Sequence, residues 1–209
     1  MTQTQSRNLP ARHTLAALAL AGIGLFGCTG VAVPDMSALI APHLPVMGWD
    51  ARPEAASWTQ ASLLAVADQD PVLSTRIPAD VEAWCPGYVK AGLNDRRAFW
   101  SGLLSAVAKH ESAWNPKAAG GGGRWIGLLQ IAPATARTHG CDATSSAALQ
   151  DGAANLECAV QIMAAQVAAD GEVSGTRGTR GIGRDWAPLR SSSKRSAMQD
   201  WTSAQSYCQ

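Results

Sequence analysis

From Leu93 onwards apolar positions recur at helical spacing, and the clearest stripe ends in an acid. Phe99, Leu103, Leu104, Val107 and Ala108 share one face, the repeat of an amphipathic helix. Asn94 or Asp95 is placed to cap its start, and Pro116 bars its continuation. Extending the same face by a turn reaches Glu111. A second stripe (Leu156, Val160, Met163, Val167) predicts another helix within Leu149 to Asp170, stopped by Gly171. Pro133 opens a shorter one through Thr138, closed by Gly140, and Pro78 to Trp84 predicts a brief helix entered at its proline. Upstream, only Ala55 to Ala67 has helical composition, with Trp58, Leu63, Leu64 and Ala67 able to share a face. Lys117 to Trp125 reads as a flexible loop around Gly120-Gly121-Gly122-Gly123. Beyond Ser174 the chain turns Gly-, Ser- and Arg-rich, with Trp186, Leu189 and Trp201 as packing anchors. No segment alternates convincingly as a strand and no repeat is visible, so the predicted fold is mainly α.

At 209 residues, 46% hydrophobic and 16% charged, the chain supports one globular domain plus extensions. A formal charge of +1 gives no argument for nucleic acid. Arg177, Arg180, Arg184, Arg190, Lys194 and Arg195 form a basic tail, read as a solvated face that could meet an anionic polymer.

The N-terminus adds a destination. Arg7, Arg12 and His13 precede an apolar run, Leu15 to Phe26, too short to span a bilayer comfortably. Together they read as a secretory signal. Leu25-Phe26-Gly27-Cys28 resembles a bacterial lipobox. That implies removal of residues 1–27, a lipid anchor on Cys28 and, with Thr29 following, the periplasmic face of the outer membrane in a Gram-negative bacterium. An ordinary cleaved signal or an uncleaved anchor would equally export the chain. Residues 28–76 read as an Ala/Pro-rich tether or a packed N-terminal extension, and 77–209 as the domain proper.

With Cys28 set aside, Cys85, Cys141, Cys158 and Cys208 suit an oxidising compartment. Three pairings are open to them. Cys141–Cys158 would tie a loop to the following helix, leaving Cys85–Cys208 to clasp the domain's ends. Zinc is disfavoured because no pair has CxxC spacing. His110-Glu111-Ser112-Ala113-Trp114 begins like a zinc-protease motif, but Trp114 stands where the second His belongs. The glycine loop lacks the Lys-Ser/Thr of a phosphate cradle. No cofactor or metal is expected.

Glu111 therefore carries the chemistry. The C-terminal end of a helix dipole is negative and disfavours an ionised carboxylate. Burial acts in the same direction, raising the pKa towards that of a working acid. Glu111-Ser112, followed by Gly127-Leu128-Leu129-Gln130-Ile131-Ala132-Pro133-Ala134-Thr135-Ala136, resembles the two motifs of the soluble lytic transglycosylase (SLT) domain, with Leu129 where Met is common. The resemblance covers roughly Cys85 to Trp186 and implies a lysozyme-like fold that cuts peptidoglycan glycan strands. Glu111 would be the single general acid and base, cleaving between N-acetylmuramic acid and N-acetylglucosamine to a 1,6-anhydro product. It also implies that Gln130 lines the cleft and that Asn155, which matches a family Asn, either binds sugar in the cleft or makes a helix-end hydrogen bond. Ser112 could orient a carboxylate or sugar, and Trp114 and Trp125 could stack on pyranose rings. The late Ala-Tyr-Asn-Ala-Gly segment of many SLT enzymes is missing, and Gly181 to Trp186 stands in its place. A catalytically weak glycan- or wall-binding module, and a water-using muramidase with a second acid, are the alternatives. Protein partners are not legible.

Overall fold

The predicted stripe from Phe99 to Ala108 lies inside α2 (Leu93–Ser112), and all five of its residues are fully buried in a computed structural model that describes residues 43–209. The signal segment and Cys28 lie outside the described residues. Burial runs all round α2 from Ala98 to Ala108, as expected of a helix enclosed by others. Its start differs from expectation. Gly92 is the N-cap, with no side-chain cap bond. Asn94 instead accepts from Arg97 and Asp95 sits in the first turn. An acid there still complements the helix dipole.

Around α2 stand α1 (Ala55–Asp68), α3 (Pro133–Thr138), α4 (Ser146–Leu149), α5 (Gly152–Asp170) and α6 (Ser192–Ser203). Short 3₁₀ turns cover Val81–Ala83, Gly181–Arg184, Ala187–Arg190 and Ser206–Cys208, so the helix expected at Pro78 to Trp84 shrinks to one such turn. The glycine loop is a tight antiparallel hairpin rather than a free loop. β1 (Ala119–Gly120) pairs with β2 (Trp125–Ile126), and Gly121, Gly122 and Gly123 take left-handed conformations. Leu156, Val160, Met163 and Val167 are buried along α5, and the left-handed Gly171 caps it.

Residues 43–76 do not stand off as a tether. Helix α1 packs on α5 and α2. Trp49 and Trp58 meet edge to face in the core, and the Trp49 indole donates to Thr59. The buried face of α1 is Trp58, Thr59, Ser62 and Val66, with Leu64 left 69% exposed. Of the expected face only Trp58 is buried, because an Ala-rich helix carries little directional signal and the hydroxyls of Thr59 and Ser62 find buried partners in the Trp49 indole and the Thr59 carbonyl.

Both disulfides form as expected, Cys85–Cys208 and Cys141–Cys158. The first is one strand of a broader C-terminal clasp. Gly87 N–H donates to the Cys208 carbonyl, Thr202 to the Trp84 carbonyl and Tyr207 to the Val46 carbonyl. On the opposite side, the Asp80 carboxylate accepts backbone N–H groups from Val173, Ser174 and Gly175, pinning the turn that follows α5.

Candidate active site

Glu111 lies in the last turn of α2. Immediately beyond it, Ala113 and Trp114 adopt left-handed backbone (φ 49° and 58°) and fold back onto the Ala108 carbonyl, the usual way a helix satisfies its terminal carbonyls. The carboxyl group is half-buried. Burial pushes its pKa up to about 7, opposed only by the positive charge of Lys194 on α6. No hydrogen bond and no neighbouring carboxylate contributes. Desolvation alone thus keeps this acid protonated near neutrality.

Gly127 opens the loop that follows Glu111 in the sequence. Its φ is +79°, and a Cβ there would overlap the Leu149 carbonyl and the Asn155 amide, so only glycine fits. Asn155 is fully buried. Its amide nitrogen donates to the carbonyls of Ile126 and Leu149, and its oxygen accepts from Leu129 N–H. Every polar atom is spent, so Asn155 holds the loop and does not face a glycan, contrary to expectation. Its replacement by Ala would strand three buried backbone groups at about 1–3 kcal/mol each. Asn155→Ala should accordingly lower the unfolding free energy by roughly 3 kcal/mol or more, measured by urea denaturation.

Gln130 is half-exposed, with φ 48°. Its Nε2 donates to the Gly127 carbonyl at 2.9 Å and more weakly to that of Ala118 at 3.4 Å. It braces the hairpin against the loop and also lines a recess with Trp125, Thr135, Ile162, Asp185 and Trp186. Trp125 stands 44% exposed at that recess, its far face covered by the Arg124 guanidinium at 5.3 Å. Of the two expected stacking residues, Trp125 is the one presented here. Trp114 instead turns back along α2, and its indole donates to the Ser105 carbonyl at 2.8 Å. Ser112 is likewise spent on its own helix, donating to the Ala108 carbonyl at 3.3 Å, so it does not orient the acid.

Trp186 and Asp185 occupy the stretch where a Tyr was expected. The buried Trp186 indole donates to the Leu129 carbonyl at 3.0 Å, and exposed Asp185 accepts from Gln166 at 2.7 Å. Trp186 read in the sequence as a core anchor only; its contact with the Leu129–Gln130 loop had no local signal. Lys194, hidden in a basic run, is the other residue missed. Most of that run is engaged: Arg184 with Asp170, Arg180 with Glu172, and Arg190 and Arg195 with backbone carbonyls. The Arg184 guanidinium and Gly181 N–H hold Asp170 down to about 2.

This architecture is the mainly helical, lysozyme-like SLT fold. Residues 91–176 match the family model described as Transglycosylase SLT domain, a span that contains Glu111, the Gly127 loop and Asn155 but stops short of Trp186. Solved structures of the protein DslA are similar. A Glu→Gln mutant of DslA superposes at TM-score 0.71 with 27% identity, covering 79% of this chain and 98% of that chain. Wild-type DslA in form 2 gives 0.70 and 27% over the same shares. No curated protein matches the chain.

Proposed function

We propose that the chain is a lytic transglycosylase that cuts the β-1,4 bond between N-acetylmuramic acid and N-acetylglucosamine in peptidoglycan, with Glu111 as its one acid and base. The observation that carries this reading is a half-buried acid with a pKa near 7 and no second carboxylate acting on it, within a span matching the SLT family. Glu111 donates its proton to the bridging oxygen, and the C1–O bond breaks. The resulting carboxylate takes the proton of the muramoyl C6 hydroxyl as its oxygen bonds to C1, closing the 1,6-anhydro ring. The nucleophile belongs to the substrate. A water-using glycosidase ordinarily pairs its acid with a second carboxylate; among the described residues no carboxylate contributes to the raised pKa of Glu111. Gln130, Trp125 and Trp186 would form the shelf for the sugar rings.

Digestion of purified sacculi followed by mass analysis tests this. Anhydro-muropeptides are expected; reducing-end products would mean hydrolysis. Absence of release would leave a glycan-binding module, a reading favoured by the lack of a Tyr anywhere in Gly181 to Trp186. Because the acid must be protonated, kcat/KM should fall about tenfold per pH unit above roughly 7, measured on soluble glycan strands. Export and anchoring of the enzyme through Cys28 to the periplasmic face of the outer membrane complete the proposal, and metabolic labelling with a clickable fatty acid in wild type and Cys28→Ala tests that part.

A further inference from the structure

The Trp58 side chain is only 3% exposed, yet its indole N–H has no acceptor among the described residues. A buried indole N–H ordinarily finds a partner. This one rests against the first turn of α5. A Cβ at Gly152 would overlap Trp58 Nε1, so any side chain there would displace the ring. The same turn offers two more donors. The Asp151 carboxylate caps it by accepting from Ala154 N–H at 2.9 Å. The Gly152 and Ala153 N–H groups have no acceptor among the described residues. All three unspent donors belong to residues lining one cavity of about 290 Å³ between α1, the loop after α2 and the start of α5. It shares no residue with the recess at Gln130, and Glu111 does not line it.

Charges of both signs surround these donors. The helix dipole is positive at this end, and Lys117 adds a full charge, its ammonium held at the rim by donating to the Gln150 carbonyl at 3.1 Å. A plain anion is not what the lining selects, because Glu54 and Asp151 line it too. Glu54 begins α1 without a side-chain cap bond and forms no ion pair among the described residues. Donors and a cation beside an unspent carboxylate select a small ligand that carries both charges. We propose that this cavity binds a free α-amino acid as its zwitterion. The ligand carboxylate accepts from Trp58 Nε1, the Gly152 and Ala153 N–H groups and Lys117, while its ammonium donates to Glu54. Charge-assisted bonds of this kind are the stronger class. The volume leaves room for a side chain beyond the two head groups.

Indole N–H resonances of the full chain, which has eight tryptophans, test this. Titration with L-alanine at millimolar concentration should move the Trp58 signal downfield as its N–H gains an acceptor, and leave Trp125 and Trp186 in place. Propionate keeps the carboxylate and lacks the ammonium, so it should bind about fivefold more weakly, the upper end for an exposed ion pair. Ethylamine, with no carboxylate, should leave Trp58 unmoved. Lys117→Gln and Glu54→Gln, both at exposed positions, should each weaken alanine binding by about the same factor. Glu54→Gln should also abolish the preference for alanine over propionate. Signals of the buried Trp49, Trp84 and Trp100 report that each variant remains folded. The proposal is overturned if alanine leaves Trp58 unmoved, if propionate or inorganic phosphate binds as tightly as alanine, or if both variants bind alanine like wild type.

Discussion

Glu111→Gln should release muropeptides from sacculi about 10²–10⁴-fold more slowly than wild type, the range expected when general acid–base catalysis is lost. The amide keeps the size of the side chain but can neither deliver a proton to the leaving oxygen nor take one from the C6 hydroxyl. Wild-type rates in this variant would sink the assignment of the acid. The same substitution has a second signature that a surface glutamate would not show. A folded-state pKa of about 7 against an ordinary 4.5 means the fold favours the protonated carboxyl. That contribution is fully present below pH 4.5 and is lost as pH rises through 7. Above that, the buried charge costs on the order of 2 kcal/mol. Glu111→Gln should therefore stabilise the protein at pH 8 and have little effect at pH 4.5, as read from paired denaturation curves. Equal effects at both pH values would show that the carboxyl is not desolvated.

Removing the terminal clasp should give the largest loss of stability. Cys85 and Cys208 are separated by 123 positions, and closing so long a loop restricts the unfolded chain by about 4–5 kcal/mol on the chain-entropy account. Cys85→Ser combined with Cys208→Ser should lower the unfolding free energy by about that amount. The shorter Cys141–Cys158 bridge, separated by 17, should be worth about 3 kcal/mol. The order matters as much as the size. If the short bridge proves the costlier to remove, loop closure is not what the long one supplies. The bonds from the Gly87 N–H to the Cys208 carbonyl and from the Thr202 hydroxyl to the Trp84 carbonyl would remain in the double variant, so the ends should still dock, less firmly.

Helices whose large apolar residues recur at helical spacing and whose ends carry punctuation were legible without the structure. Phe99 to Ala108 and Leu156 to Val167 are such cases, because side chains four apart must share a face. Glycine and proline marked Gly127, Pro133 and Gly171 for equally local reasons. The extension was not legible as a packed element. Its Ala-rich helix has no dominant face, and the Trp49–Trp58 contact joins residues that only the fold brings together. Asn155 was misread for a related reason: an Asn near a helix start looks alike whether it serves substrate or backbone, and only its three long-range partners decide.

The sequence by itself determined the mainly helical class, the placement of Glu111 at a helix end before a Gly-led loop, and an even set of four cysteines whose pairing only the structure fixed. Those follow from periodicity, chain punctuation and cysteine number. Tertiary structure decided how buried that acid is, that Lys194 alone opposes its raised pKa, and that Trp125 rather than Trp114 is offered at the sugar shelf. It also placed Trp186 against Leu129 and opened a second cavity between α1 and the first turn of α5. Desolvation and charge depend on what lies around a group in space, and for Glu111 that includes Lys194 from a distant helix.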